Sequence, residues 1–135
     1  MQKEDQKKLI KYWQETAKHD YEIMGSLFKS KHYDASLFFG HIVLEKILKA
    51  LFAKKTKEHA PFTHNLVRLA EISKIKLVRK EADLLKKVNE FNIEARYPEQ
   101  KLKFYNICTK KYTEEYIKEI DKLYKKLCQK LKLKK

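Results

Sequence analysis

Only two glycines and two prolines occur among the 135 residues of this chain. Because glycine and proline supply most tight turns, this scarcity indicates few turns and long elements. Long elements favour helices over a many-stranded β fold. We therefore predict an all-α protein, an up-and-down bundle of four or five helices that forms a single domain over residues 1–135.

The spacing of apolar residues predicts where the helices lie. Successive residues of a helix are placed about 100° apart around its axis. In this projection the apolar residues of the predicted helices gather on a face that can pack against the core. The predicted helices cover approximately residues 4–29, 33–54, 64–73, 80–92 and 113–131. Thr63 is the expected N-cap of the third helix, and Pro98 is expected to stop any helix and to keep Tyr97 extended. Residues 101–111 stay undecided, and residues 126–135 are expected to form a frayed basic tail.

The first predicted helix carries a carboxylate in the middle of its apolar face. Asp20 projects between Trp13 and Met24. A carboxylate in that position is costly unless it is paired. Two readings stay open: Asp20 is buried with a partner, or the helix rolls slightly and Asp20 reaches the rim.

The second predicted helix is the most apolar segment, which is typical of a central helix. Its few polar residues include His41, Glu45 and Lys49 at i, i+4 and i+8, with Lys46 beside them. Phe38 and other apolar residues lie among these polar positions. This polar strip therefore predicts a cleft or a subunit contact, and it marks the expected working surface.

The same strip raises the question of a metal, because His41 and Glu45 have a spacing that can hold one. A third ligand would have to come from His64 or Asp20. The chain has no glycine-rich phosphate loop, no CxxC pair and no HExxH motif. We expect no metal site and no cofactor.

Three further residues suggest ligand contacts. His64 lies at the predicted start of the third helix, where free N–H groups favour an anion, and it is equally suited to a local capping bond. Arg96 and Tyr97 together offer a phosphate contact and a stacking face. The alternative is that Arg96 binds the carboxylate of Asp20 or Glu45 and so ties its loop down.

The charge of the chain is strongly positive, with 32 Lys and Arg against 18 Asp and Glu, a net +14. Such a charge attracts polyanions such as nucleic acid, nucleotides or an acidic partner. Nearly all of the excess is lysine spread along every predicted helix, whereas arginine is the preferred residue for bidentate phosphate contacts. Charge alone therefore leaves generic RNA or DNA binding open without favouring it.

Two cysteines, Cys108 and Cys128, lie far apart and match no metal-ligand spacing, so reduced structural thiols are expected. The N-terminal sequence MQKEDQKKLIKYW has no apolar signal segment, and no apolar stretch approaches membrane-spanning length. We expect a cytoplasmic protein with no membrane contact.

Four short motifs, taken in order, resemble the HEPN domain family of prokaryotic proteins. They are Ala17-x-x-Asp20, His41-x3-Glu45-Lys46-x2-Lys49-Ala50, Thr63-His64-Asn65-Leu66 and Ala95-Arg96-Tyr97-Pro98. The resemblance implies a helical bundle that is usually a homodimer and binds nucleotides. It also implies a partner, because family members are often encoded beside a separate minimal nucleotidyltransferase and act with it in toxin–antitoxin systems. The ligand-binding residues expected from the strip and the resemblance are Asp20, His41, Glu45, Lys46, Lys49, His64, Arg96 and Tyr97.

Many members of that family are ribonucleases that use an R-x4-6-H motif late in the bundle. In this sequence every histidine precedes every arginine, the first of which is Arg68, so the motif cannot exist in any register. Without it, the usual general acid–base histidine is missing from its place. We therefore expect a non-catalytic module that binds a nucleotide, a nucleotidyltransferase partner or both, with no catalytic residues. The alternatives are a toxin-like ribonuclease with an atypical site that uses His41 or His64 with Arg96, and a generic RNA binder.

Overall fold

The computed structural model describes residues 2–132, which form helices joined by short segments. The helices in this range are α1 (Lys3–Lys29), α2 (Tyr33–Thr56), α3 (Leu66–Ile72), α4 (Arg79–Arg96), α5 (Pro98–Ile107) and α6 (Lys110–Lys132). No strand occurs within residues 2–132, so the all-α prediction is confirmed, with six helices in place of four or five. None of these helices is long and apolar enough to cross a membrane.

Helix α2 is the centre of the bundle and packs against α1, α3, α4 and α6. Its buried residues extend around most of its circumference, as its apolar composition predicted. Gly40 allows a close approach: a Cβ there would lie 2.8 Å from Ile120 Cδ1 of α6 and 3.5 Å from Met24 Sδ of α1. Both neighbouring helices therefore pack directly against the α2 backbone at this level.

All six helices contribute buried side chains to one hydrophobic cluster. Helix α5 contributes a single buried residue, Phe104, whose ring lies 5.5 Å from that of Phe91 on α4, centroid to centroid. Both rings are fully buried. This contact holds α5 on the bundle and leaves most of its surface exposed.

The predicted start of α3 is wrong. The helix begins at Leu66, and its N-cap is Asn65. The Asn65 side chain accepts hydrogen bonds from the backbone N–H groups of Val67 and Arg68, at 3.1 and 3.2 Å. The Thr63 hydroxyl instead accepts from the N–H of Asn65, at 3.2 Å. Asparagine and threonine are both good caps, and Asn65 takes the position because its oxygen reaches the two free N–H groups.

The predicted ends of the later helices are also corrected. Helix α4 continues to Arg96, past residue 92, and Pro98 opens α5 rather than only stopping α4. Proline suits the first position of a helix because that position needs no N–H. Helix α6 begins at Lys110 and continues through Lys132, so residues 126–132 are helical and not a frayed tail. Their burial of Leu127 and Leu131 explains this. Residues 133–135 of the expected tail lie outside the described range.

Candidate ligand-binding cleft

His41 on α2 fixes the backbone of the segment that precedes α3. Its buried Nε2 lies 2.8 Å from the carbonyl oxygen of His64. Because a carbonyl oxygen only accepts, His41 Nε2 carries the proton and donates. Burial lowers the pKa of His41, and the nearby Glu45 carboxylate only partly offsets this. His41 is therefore neutral near pH 7 and acts as a fixed donor.

The Glu45 carboxylate joins α2 to the same segment. Its Oε1 accepts from His64 Nδ1 and its Oε2 accepts from Lys49 Nζ, both at 2.9 Å. Burial acts to raise the pKa of Glu45, but the hydrogen bonds from Lys49 and His64 outweigh it and the net shift is downward. The carboxylate is therefore ionised. Residue 64 is held twice, by its carbonyl and by its ring.

Lys49 completes this group on the side of α1. Its Nζ lies 5.2 Å from the centroid of the Trp13 ring, and its side chain is 10% exposed. Cation–π contact and the Glu45 hydrogen bond together offset the cost of burying the ammonium group. Each member of the strip of His41, Glu45 and Lys49 thus makes at least one hydrogen bond within the protein. His64, with a side chain 45% exposed, is the member of this group that faces solvent most.

The Asp20 question is settled in favour of burial with a partner. Asp20 is 7% exposed, and its Oδ2 lies 2.5 Å from Lys46 Nζ. The pair lies between α1 and α2, beside the strip. Within residues 2–132, neither Asp20 nor Lys46 forms a hydrogen bond with Glu45.

Arg96 at the end of α4 does not bind a carboxylate. Its Nε donates to Asn92 Oδ1 at 3.0 Å, and its guanidinium carbon lies 5.9 Å from the centroid of the Phe38 ring. The predicted alternative, an ion pair with Asp20 or Glu45, is therefore wrong, because Phe38 and Asn92 anchor the side chain instead. The two terminal nitrogens have no hydrogen-bond partner within residues 2–132.

Tyr97 follows with an extended backbone, φ −93° and ψ 123°, as the proline after it predicted. Its side chain is 57% exposed. Arg96 and Tyr97 are therefore both open to solvent at the junction of α4 and α5.

A hollow of about 330 Å³ lies beside Arg96, within the volume range typical of small-molecule sites. It is lined by Asp34, Ala35, Phe38, Ala95, Arg96 and Lys101. Phe38 and His41 are three positions apart on α2, which corresponds to about 5 Å along the axis. The hollow therefore lies about one helical turn from His41 along α2, and we call the hollow, the strip and residue 64 together the cleft.

Sequence reasoning missed three polar residues of this cleft. Asn92 had a detectable signal, since it precedes Arg96 by four positions on one helix face. Lys101 fell in the undecided segment, and Asp34 looked like an ordinary acidic residue in the first turn of a helix. Only the packing of α5 on α4 brings Lys101 and Asp34 to one hollow.

The structure offers no triad of metal ligands in the part of the chain it describes: no group of three His, Cys, Asp or Glu residues there is suited to a metal ion. His64 does meet Glu45, as a metal site would have required. His41 Nε2, however, is engaged with a carbonyl.

The order of these elements can be compared with known families. A family model of the HEPN domain matches residues 10–131, nearly the whole chain. The chain belongs to the HEPN domain family. In comparisons with curated proteins and with solved structures, none matched this HEPN chain.

In this HEPN protein the four motifs have different structural roles. The first two supply the Asp20–Lys46 pair and the strip on α2, and the third supplies His64 and the Asn65 cap. The fourth supplies Arg96 at the open hollow. The cleft thus combines an inner part whose polar groups bond to one another with an open end at Arg96.

Proposed function

We propose that this HEPN protein is a non-catalytic nucleotide-binding module that acts as a dimer beside a nucleotidyltransferase-type partner. The nucleotide would bind at the open end of the cleft, with its phosphates against Arg96. His41, Glu45, Lys49 and the Asp20–Lys46 pair would act as its scaffold rather than as contacts.

The observation that carries this proposal is the state of Arg96. Its guanidinium is positioned from two sides, by Asn92 and by Phe38, while both terminal nitrogens stay free. A planar cation held in this way is suited to a phosphate, because two parallel N–H donors match two phosphate oxygens. Lys101 lines the same hollow and adds a second positive charge, which leaves the hollow cationic despite the Asp34 carboxylate that also lines it.

Isothermal titration with ATP tests the proposal. We expect the wild-type protein to bind ATP and Arg96→Gln to bind at least about tenfold more weakly, since a hydrogen bond to a charged group contributes about 1.5–3 kcal/mol. Arg79→Gln is the matched control, because Arg79 is exposed at the opposite end of α4. The absence of binding to any nucleotide at millimolar concentration, or equal losses in the two variants, would refute the proposal.

The dimer and the partner need separate measurements. Sedimentation velocity should give twice the monomer mass at micromolar concentration, and a stable monomer would contradict the dimer. Co-expression with the nucleotidyltransferase-type product of a neighbouring gene should give a complex that survives gel filtration. Failure to co-purify would remove the partner from the proposal and leave nucleotide binding in place.

A second candidate function is a ribonuclease with an atypical site, favoured by the contact between Glu45 and His64. A carboxylate that accepts from Nδ1 leaves Nε2 of a half-exposed imidazole free to take a proton. Incubation with total RNA tests it. Cleavage should disappear in His64→Ala and fall sharply in Glu45→Gln, and cleavage that survives both substitutions would indicate a contaminant.

A further inference from the structure

Asp34 lies where two hollows of the cleft meet. The hollow beside Arg96 adjoins a second hollow of about 380 Å³, lined by Asp34, Pro98, Lys101, Leu102 and Tyr105. Asp34 and Lys101 line both. Asp34 is half-buried, and its carboxylate has no hydrogen-bond or ion-pair partner within the described range.

The two hollows differ in chemistry. Beyond the shared Asp34 and Lys101, the one beside Arg96 adds the guanidinium group, whereas the second adds the ring of Pro98, the side chain of Leu102 and the ring of Tyr105. Leu102 and Tyr105 are 68% and 62% exposed, so these apolar groups are available to a ligand. A flat heterocyclic base suits such a surface, because it stacks on an aromatic ring and on apolar carbon.

A nucleotide has its charges and its base at opposite ends, with the sugar between them. With the phosphates beside Arg96 and the base against Tyr105, the sugar lies at the junction occupied by Asp34. A carboxylate has two acceptor oxygens, and the neighbouring 2′- and 3′-hydroxyls of ribose are two donors. The Asp34 carboxylate would repel a phosphate group. In the orientation described, the sugar hydroxyls are the uncharged donors of the nucleotide that would lie beside Asp34.

We propose that Asp34 recognises the ribose of the bound nucleotide, so that the site selects ribonucleotides over 2′-deoxyribonucleotides and accepts any of the common bases. This inference rests on the proposed nucleotide binding and adds the class of ligand. Tolerance of the base is expected because the base would stack on the Tyr105 ring and lie against Pro98 and Leu102, and stacking distinguishes bases only weakly. Asp34 lies in the first turn of α2, where its negative charge interacts favourably with the positive end of the helix. This interaction needs no hydrogen bond, so both carboxylate oxygens stay available to a ligand.

The test compares dissociation constants for ATP, GTP, CTP and 2′-deoxyATP at one salt concentration. We expect ATP to bind about tenfold more tightly than 2′-deoxyATP, which corresponds to one hydrogen bond to a charged group. The three ribonucleotides should agree within about threefold, because stacking does not distinguish bases strongly.

Asp34→Asn then isolates the carboxylate. Removing its charge relieves repulsion of the phosphates in both nucleotides, but it also weakens the bond to the 2′-hydroxyl, which only ATP can make, so neither affinity alone is informative. The informative quantity is the dissociation constant of 2′-deoxyATP divided by that of ATP, which should fall below about three. Glu99→Gln is the matched control, because Glu99 is an exposed acidic residue in the first turn of α5 and lines neither hollow. Its ratio should equal that of the wild type, and circular dichroism should show unchanged helix content in both variants.

A failure of this inference can be distinguished from a failure of the proposed function. Equal affinity for ATP and 2′-deoxyATP, or a ratio that persists in Asp34→Asn, would overturn the ribose assignment and leave nucleotide binding standing. Binding of only one of the three ribonucleotides would overturn the predicted tolerance of different bases. If no nucleotide binds at all, both proposals fail together.

Discussion

Replacing Lys46 by methionine should destabilise the fold far more than the same change at an exposed lysine. Methionine keeps the length and the helix propensity of lysine, so the substitution removes the charge and little else. In Lys46→Met, Asp20 would keep its charge on the α1–α2 contact without the ammonium group that now lies 2.5 Å from it. The side chain of Asp20 is 10% exposed, so water does not replace the missing partner.

The expected size follows from burial. Breaking a fully buried pair costs about 3–5 kcal/mol, and the Lys46 side chain is 23% exposed, so we expect a loss of about 2–3 kcal/mol. Asp20→Ala should cost less, about 1 kcal/mol, because the long lysine stem can turn its ammonium group into solvent. The double variant should resemble Asp20→Ala alone, since no unpaired buried charge is left. The coupling energy of the cycle is then about 2–3 kcal/mol, equal in size to the loss in Lys46→Met alone.

Urea unfolding followed by circular dichroism measures these values, provided that the slope of free energy against urea stays constant across the variants. Lys11→Met is the control. Lys11 Nζ and Glu15 Oε1 lie 3.8 Å apart, and the two side chains are 73% and 66% exposed. Such an exposed ion pair contributes less than about 1 kcal/mol to the free energy of unfolding. Equal losses for Lys46→Met and Lys11→Met, or a coupling energy near zero, would show that Asp20 is solvated and that the reasoning is wrong.

Four other predictions concern stability and reactivity. Gly25→Ala should stabilise the protein by about 1 kcal/mol through helix propensity, since nothing lies within 4 Å of the new Cβ. Gly40→Ala should cost about 1 kcal/mol net in urea unfolding, because its Cβ would lie 2.8 Å from a buried isoleucine of α6; a gain equal to that at Gly25 contradicts this. Iodoacetamide at about pH 8 should modify Cys128 before Cys108, whose pKa burial raises to about 12, and mass spectrometry that finds the reverse order refutes it. His41 has a lowered pKa when folded, so the unfolded chain binds more protons and the free energy of unfolding should fall as the pH drops through about 6.5; a His41→Gln variant with the same loss would contradict this.

The fold was largely predictable from the sequence, because apolar spacing and the scarcity of turn residues act locally. The bounds of α1 and α2 agree closely with the prediction, and α2 is central as its composition indicated. The errors fall where local signals compete. Thr63 and Asn65 were both adequate caps, and only the geometry of the segment chose between them. Helix α5 was missed because it buries one side chain, Phe104, so it has almost no apolar pattern.

The cleft was predictable only in part. The spacing of His41, Glu45 and Lys49 was sufficient to find the strip, since all three lie on one helix. The partners of the strip were not predictable by spacing. One of them is the backbone carbonyl of His64, and because every residue has a backbone carbonyl, the sequence does not mark this one. The binding roles assigned to the strip, to His64 and to Arg96 stay predictions.

The buried strip nevertheless bears on the open end of the cleft through the position of α4. His41 and Glu45 hold residue 64, and the next residue, Asn65, accepts a hydrogen bond from Asn89 Nδ2 on α4 at 2.9 Å. Asn89 Oδ1 in turn accepts from the first N–H of α3, at 2.9 Å. Two turns further along α4, Arg96 lies over Phe38 of α2. Helix α4 is therefore tied to α2 at both levels, and loosening His41 should misplace Arg96 without touching it. Polar groups on the most buried helix are therefore compatible with the proposed binding function, because they would position Arg96 without contacting the ligand themselves.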